Sequence, residues 1–235
     1  MAELAFDGAN PDTGLLYNIN DVARAAPGWL DRTLVFLGQY GLIAGMALLV
    51  LWCWWRVARR QGESAPTAVA GVVWAVLAAV IALSLNGPIS GLVQRPMPFV
   101  DNENLDVLLN VHGPTGYSFP STRATLTMAV AVGLYMVNRR AGLAALGLAL
   151  LEGFTRVFMG VQYPTDVAGG YALGMATTLL LAPLAMMLLV PMTKAVVRSR
   201  ARFLVRSGKR LAAAGVRGEP RQRPEPSMRE KDLAA

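Results

Sequence analysis

The chain has 235 residues, enough for one domain, of which 54% are hydrophobic, and it carries a formal net charge of +7. That composition, with a positive mean hydropathy, argues against a soluble globular protein and for one that lives in a bilayer. The positive charge does not point to nucleic acid, because the basic residues gather just beyond apolar stretches, where anionic lipid headgroups attract each by about 1 kcal/mol. Cys53 is the single cysteine, so no intrachain disulfide is available, and it reads as a small buried apolar residue.

Residues 1–32 place Leu15, Leu16, Ile19, Val22, Ala23, Trp29 and Leu30 at helical spacing, with a turn signal at Pro27-Gly28. This segment reads as an amphipathic interfacial helix. It lacks a basic n-region and a continuous apolar h-region, so no cleavable signal peptide is expected. Five apolar stretches follow, at 33–55, 67–92, 121–138, 141–158 and 165–192. A span needs about 20 apolar residues. The expectation is an all-α membrane bundle of about five transmembrane helices over residues 33–192. Gly170 and Gly174 have the spacing that lets helices approach closely. Residues 193–216 form a basic juxtamembrane segment. Residues 217–235, rich in Pro, Arg and Glu without apolar periodicity, read as a disordered tail.

Arg56, Arg59 and Arg60 follow the first stretch, and Arg139 and Arg140 separate the third from the fourth. Lys194, Arg198, Arg200, Arg202, Arg206, Lys209 and Arg210 follow the fifth. With five spans all three groups share one side, which the positive-inside rule makes cytoplasmic. The C-terminus then meets anionic lipids of the inner leaflet, and the loops at 93–120 and 159–164 face outward, as expected for a bacterial plasma-membrane protein.

Chemistry-bearing residues concentrate at that outer end. Arg95 sits in a loop stiffened by Pro96 and Pro98. Ser121 and Thr122 follow Pro120 at the start of an apolar helix, a position that both caps the helix and attracts phosphate. Arg156 ends the fourth stretch, and an ionisable residue there is a functional candidate. Glu152 lies one turn earlier in the acid-before-base order that favours pairing and support of Arg156. Asp166 opens the fifth stretch, where a first-turn acid also suits the helix dipole. Arg95, Arg123, Arg156 and Asp166 together carry a formal charge of about +2. A unit charge pair 4 Å apart is worth about 4 kcal/mol at an effective dielectric near 20, so such a site holds a phosphate or diphosphate.

Three segments carry a family resemblance: Arg95-Pro96, then Pro120-Ser121-Thr122-Arg123, then Thr155-Arg156 with Gln162 and Asp166. Their order, spacing and helical context resemble the three signatures of the type-2 phosphatidic acid phosphatase family. The resemblance covers roughly residues 33–190. It implies a helical membrane bundle with a phosphate site at the membrane face, acting on lipid phosphates or polyprenyl diphosphates. By position it implies phosphate-binding or orienting roles for Arg95, Ser121, Arg156 and Asp166, and Thr122, Arg123 and Gln162 complete the candidate substrate-binding set. The departures are specific. Pro88 stands at the family's signature lysine, Arg123 at its acid histidine and Gln162 at its nucleophilic histidine. An amide is not a useful nucleophile, and a guanidinium is a poor acid near neutral pH. The catalytic set is therefore left unassigned, and the reading is a divergent member or pseudoenzyme that binds a lipid or prenyl (di)phosphate.

Two enzymatic alternatives stand beside it. Arginines that stabilise a departing diphosphate can ionise a prenyl diphosphate, leading to elimination, cyclisation or transfer, with Trp74, Tyr135, Phe154, Phe158 and Tyr171 lining the cavity. Alternatively His112, the only histidine, or an activated water replaces the missing groups in an active phosphatase. No cofactor motif or metal-ligand cluster is found. Asp101, Glu103 and Asp106 read as a solvated acidic face, with a divalent cation bridging to diphosphate as the alternative.

Overall fold

Helix boundaries fall where the sequence supplies caps. The computed structural model describes residues 11–58, 65–101, 105, 107–108 and 116–198. Within them lie α1 (Pro11–Ala25), α2 (Gly28–Phe36), a π-helical turn (Leu37–Gly41), α3 (Leu42–Ala58), α4 (Ala65–Val93), α5 (Pro98–Asp101), α6 (Thr122–Val137), α7 (Arg139–Phe158) and α8 (Pro164–Arg198). No strand occurs among the described residues. Glu103, Asp106, His112, Arg59, Arg60, the basic run from Arg200 onward and the 217–235 tail lie outside them, as does the side chain of Asp101.

Ser121 caps α6 by accepting a hydrogen bond from Ala124 N. Asn138 is both the end of α6 and the cap of α7, accepting from Arg140 N at 3.0 Å and Ala141 N at 3.3 Å. Pro164 opens α8, where a missing N–H does no harm. Asp166 accepts from Tyr163 N at 3.0 Å and closes that helix start.

Four helices are long and apolar enough to cross a membrane: Gly28–Val57, Ala65–Val100, Arg139–Phe158 and Pro164–Val196. The fifth apolar helix, α6, is shorter and sits at the centre, packed on α4, α7 and α8. Its buried run from Ala124 to Leu134 covers every face, so it has almost no amphipathic bias. The outer helices turn Leu48, Leu51, Trp55, Val76, Leu180, Met187 and Leu188 outward, an apolar belt suited to lipid.

Small residues set the helix approach. A Cβ on Gly170 would lie 2.6 Å from the Ser121 carbonyl oxygen, and one on Gly174 would lie 2.9 Å from Ala129 N. The glycine pair is therefore the contact between α8 and α6, as expected for such spacing. It brings Ser121 N within 2.9 Å of the Asp166 carbonyl oxygen. At the far end of the bundle Thr193 bonds Pro66 O at 3.0 Å, and Val137 meets Gly71. Arg139, Arg140 and Lys194 adjoin these positions, opposite the end that carries the site.

Candidate anion site at the end of the bundle

Two groups of charged side chains flank a neutral centre. The centre is Ser121 and Gln162, joined by a hydrogen bond from Ser121 Oγ to Gln162 Oε1. Gln162 Nε2 points to Ser118 O at 3.5 Å. Gln162 thus stands where the family resemblance places a nucleophile, buried and with its carbonyl oxygen already engaged.

On one side lies Arg95. Its Nη1 donates to Asp166 Oδ1 at 2.8 Å and to Thr165 Oγ1 at 2.7 Å. Its Nη2 pairs with Asp12 Oδ2 at 2.6 Å, and its guanidinium stacks over Tyr163 at 3.9 Å from the ring centroid. Asp12 on Nη2 and Asp166 on Nη1 hold the guanidinium from both ends. Asp166, fully buried, also accepts from Ser118 Oγ and from Tyr163 N. A carboxylate so occupied is fixed in place.

On the other side lie Arg123, Glu152 and Arg156. Arg123 Nη1 donates to the carbonyls of Gly38 and Gln39, both at 3.0 Å, within the π-helical turn. Such turns often mark functional sites. Here Gly38 also lets the turn approach α7, since a Cβ there would sit 2.7 Å from Thr155 Oγ1. Glu152 is fully buried, and its Oε1 pairs with Arg123 at 3.4 Å, while Oε2 has no hydrogen-bond partner. Arg156 is half-buried and lies within electrostatic range of both Arg123 and Glu152. Its Nε is buried without a partner, and it joins none of the ion pairs among the described residues.

Of the three arginines expected to share the site, Arg123 lies within electrostatic range of Arg156, and Arg95 pairs with Asp12 and Asp166. Glu152 pairs with Arg123 rather than with Arg156. The reason is packing: the α6–α7 contact carries Arg123 across to the acid, a choice that helical spacing alone does not encode. Thr122 is exposed and donates to Asn86 Oδ1 at 3.3 Å. The five aromatic residues do not share a cavity. Tyr135 and Phe154 are exposed, Trp74 is buried with Ala78 and Ala182, Phe158 is buried beside Phe154, and the Tyr171 hydroxyl bonds Ala149 O at 2.7 Å.

Four residues escape the sequence reading. Asn86, buried in α4, donates to Pro120 O and Thr125 Oγ1, each at 3.1 Å, and so holds the loop before α6. Its signal was present, as a polar residue inside an apolar helix. Ser118 lies close to a signature segment. Asp12 and Thr165 have no local signal at all. Among the described residues no group of His, Cys, Asp and Glu has the arrangement of a metal site.

A membrane-spanning helical bundle with an arginine-rich, serine-capped site at one end is the class of protein these features define. A family model described as the PAP2 superfamily matches residues 71–189, just over half of the chain, and the chain belongs to that superfamily. It is similar to the undecaprenyl-diphosphatase BcrC of Bacillus subtilis (strain 168), with 28% identity over 60% of this chain and 67% of that one. An undecaprenyl-diphosphatase of Sulfolobus acidocaldarius is 32% identical over 71% of this chain and 74% of its own. The solved structure of LpxE from Aquifex aeolicus shares the fold, with a TM-score of 0.52 and 20% identity over 73% of this chain and 94% of that one.

Proposed function

We propose that this protein binds the phosphate or diphosphate headgroup of a prenyl or other lipid at the outer face of a bacterial plasma membrane, and does not cleave it by a histidine relay. The observation that carries the binding half is Arg156, whose guanidinium has a buried, unpartnered Nε beside a second arginine. A desolvated N–H without an acceptor is unfavourable by about 1–3 kcal/mol, and a phosphate oxygen would relieve it. Arg123, within electrostatic range of Arg156, and Ser121 at the start of α6 suit the same anion. The similarity to undecaprenyl-diphosphatases supports a prenyl headgroup as the first ligand to test.

The chemistry half follows from Gln162 and Arg123. Gln162 offers an amide already bonded to Ser121, and Arg123 is committed to Glu152 and two backbone carbonyls. Neither forms a phospho-enzyme or protonates a leaving oxygen. The basic residues at the far end, Arg139, Arg140 and Lys194, support a cytoplasmic C-terminus that meets anionic lipid.

The test uses the purified full chain in nanodiscs with undecaprenyl and farnesyl diphosphates. Saturable binding without release of phosphate, diphosphate or hydrocarbon is expected, and Arg156→Ala should weaken it. Phosphate release lost in His112→Ala would overturn the non-hydrolytic reading in favour of a rescued phosphatase. Diphosphate plus a hydrocarbon product would favour prenyl ionisation.

A further inference from the structure

Asp12 occupies a place built for an anion. Its Oδ2 accepts from Arg95 Nη2 at 2.6 Å and from the Thr165 hydroxyl, and its Oδ1 accepts from Thr165 N at 3.0 Å. One guanidinium nitrogen, a hydroxyl and a backbone N–H in the first turn of a long helix form a donor set suited to a phosphate. Both carboxylate oxygens are used, and they come from a residue 153 positions away from Thr165 in the chain.

The two acids on Arg95 are not equivalent. Asp166 is fully buried, belongs to α8 and keeps Ser118 Oγ and Tyr163 N as partners of its own. Asp12 stands in the first turn of α1, and among the described residues its carboxylate accepts only from Arg95 and Thr165. Helix α1 is seated on α7 and α8 through buried Leu16, Asn20 and Ala23, with Tyr17 and Ile19 packed beside them. It is joined to α2 through Ala26 and Pro27, and Pro27 gives α2 no side-chain cap. A helix seated on one side of a bundle and followed by a short hinge can move while the bundle stays intact.

We propose that Arg95, Thr165 and the start of α8 form a second anion seat, filled by Asp12 when no headgroup is bound, and that a lipid phosphate or diphosphate takes the seat by displacing the first turn of α1. Asp12 and Asp166 already occupy both guanidinium nitrogens of Arg95, so a phosphate reaches Nη2 only as Asp12 leaves. α1 is thus a lid whose carboxylate competes with the ligand. This inference rests on the headgroup-binding reading above.

Affinity for undecaprenyl phosphate and for inorganic pyrophosphate is measured on the full chain in nanodiscs for wild type, Asp12→Asn and Asp21→Asn. Asp21 is an exposed acid of the same helix and controls for net charge. Hydrogen exchange of residues 11–25 is followed in wild type with and without ligand. Asp12→Asn should bind about tenfold tighter while Asp21→Asn is unchanged, as expected when one opposing charge is removed. In wild type, ligand should speed exchange in α1 and leave α6 unaffected. Equal or weaker binding by Asp12→Asn, or α1 exchange unmoved by bound ligand, overturns the lid and leaves the proposed function standing. Absence of binding by every protein, Asp12→Asn included, overturns both.

Discussion

Arg123 Nη1 stands 3.4 Å from Glu152 Oε1, and this contact between α6 and α7 takes the acid that helical spacing would give to Arg156. One carboxylate thus faces two guanidiniums. The pair with Arg123 holds the π-helical turn, α6 and α7 together, and the second arginine is left with positive charge to spare.

Removing Glu152 should therefore do two opposite things. Glu152→Ala is expected to destabilise the protein by about 2–3 kcal/mol, at the low side for a broken buried pair because Arg123 is a quarter exposed. The same change should strengthen anion binding, since it frees Arg123 and removes the carboxylate that faces Arg156. Thermal unfolding in detergent and pyrophosphate titration check the two signs separately.

Arg156→Ala should behave in the reverse way. Its side chain joins none of the ion pairs among the described residues and buries an unpartnered N–H, so its loss should not lower the unfolding temperature. Lipid-phosphate affinity should fall by at least about tenfold, the value of a charge-assisted hydrogen bond. A large loss of stability with affinity intact would assign Arg156 to structure instead.

Replacing Gln162 by histidine tests what the site lacks. Gln162→His alone should release phosphate from undecaprenyl diphosphate near background, because no acid faces the leaving oxygen. Adding Arg123→His should raise the rate by about 100-fold over the single variant, the low end of a general-acid contribution. Equal rates would mean that Arg123 is no obstacle to turnover.

Gly170→Val should pry α8 from α6. Even the first added carbon would lie 2.6 Å from the Ser121 carbonyl oxygen, so overpacking of about 1–3 kcal/mol is expected. Because that contact also sets Ser121 against Asp166, ligand affinity should fall with stability.

The α1 contact carries its own pH signature. Burial pushes the Asp12 carboxyl up, but the Thr165 hydroxyl, Arg95 and Thr165 N–H outweigh it and hold the pKa below the ordinary 3.8. The charged groups facing it are Arg95 and, across that guanidinium, Asp166. A depressed pKa means the contact is fully present above 3.8 and lost as pH falls through the lower docked value. Anisotropy of a fluorophore at Leu15→Cys, in a Cys53→Ala background, should be flat from about pH 8 to 5 and fall only in strong acid. Asp12→Asn should lack the acid limb.

Five apolar stretches and the three signature segments were legible because hydropathy, caps and motif spacing are local properties. Ser121 announced itself as a helix cap, and Gly170 and Gly174 as a packing face. Asn86 was visible only as a polar residue in an apolar helix, with no hint that it held Pro120. The pairings were not legible. Arg95 meets Asp12 across 83 positions of sequence, and Glu152 meets Arg123 rather than its own helical neighbour.

The sequence by itself determined that helices cross a bilayer, which end collects the candidate anion-binding residues, and that no imidazole stands at Arg123 or Gln162. Those conclusions need only residue type and periodicity. Only the tertiary structure decided how the charges are shared, leaving Arg156 open while Arg95 is covered by a carboxylate from α1. Ion pairing depends on distance in space, and that distance is set by glycine-mediated contact between helices far apart in the chain.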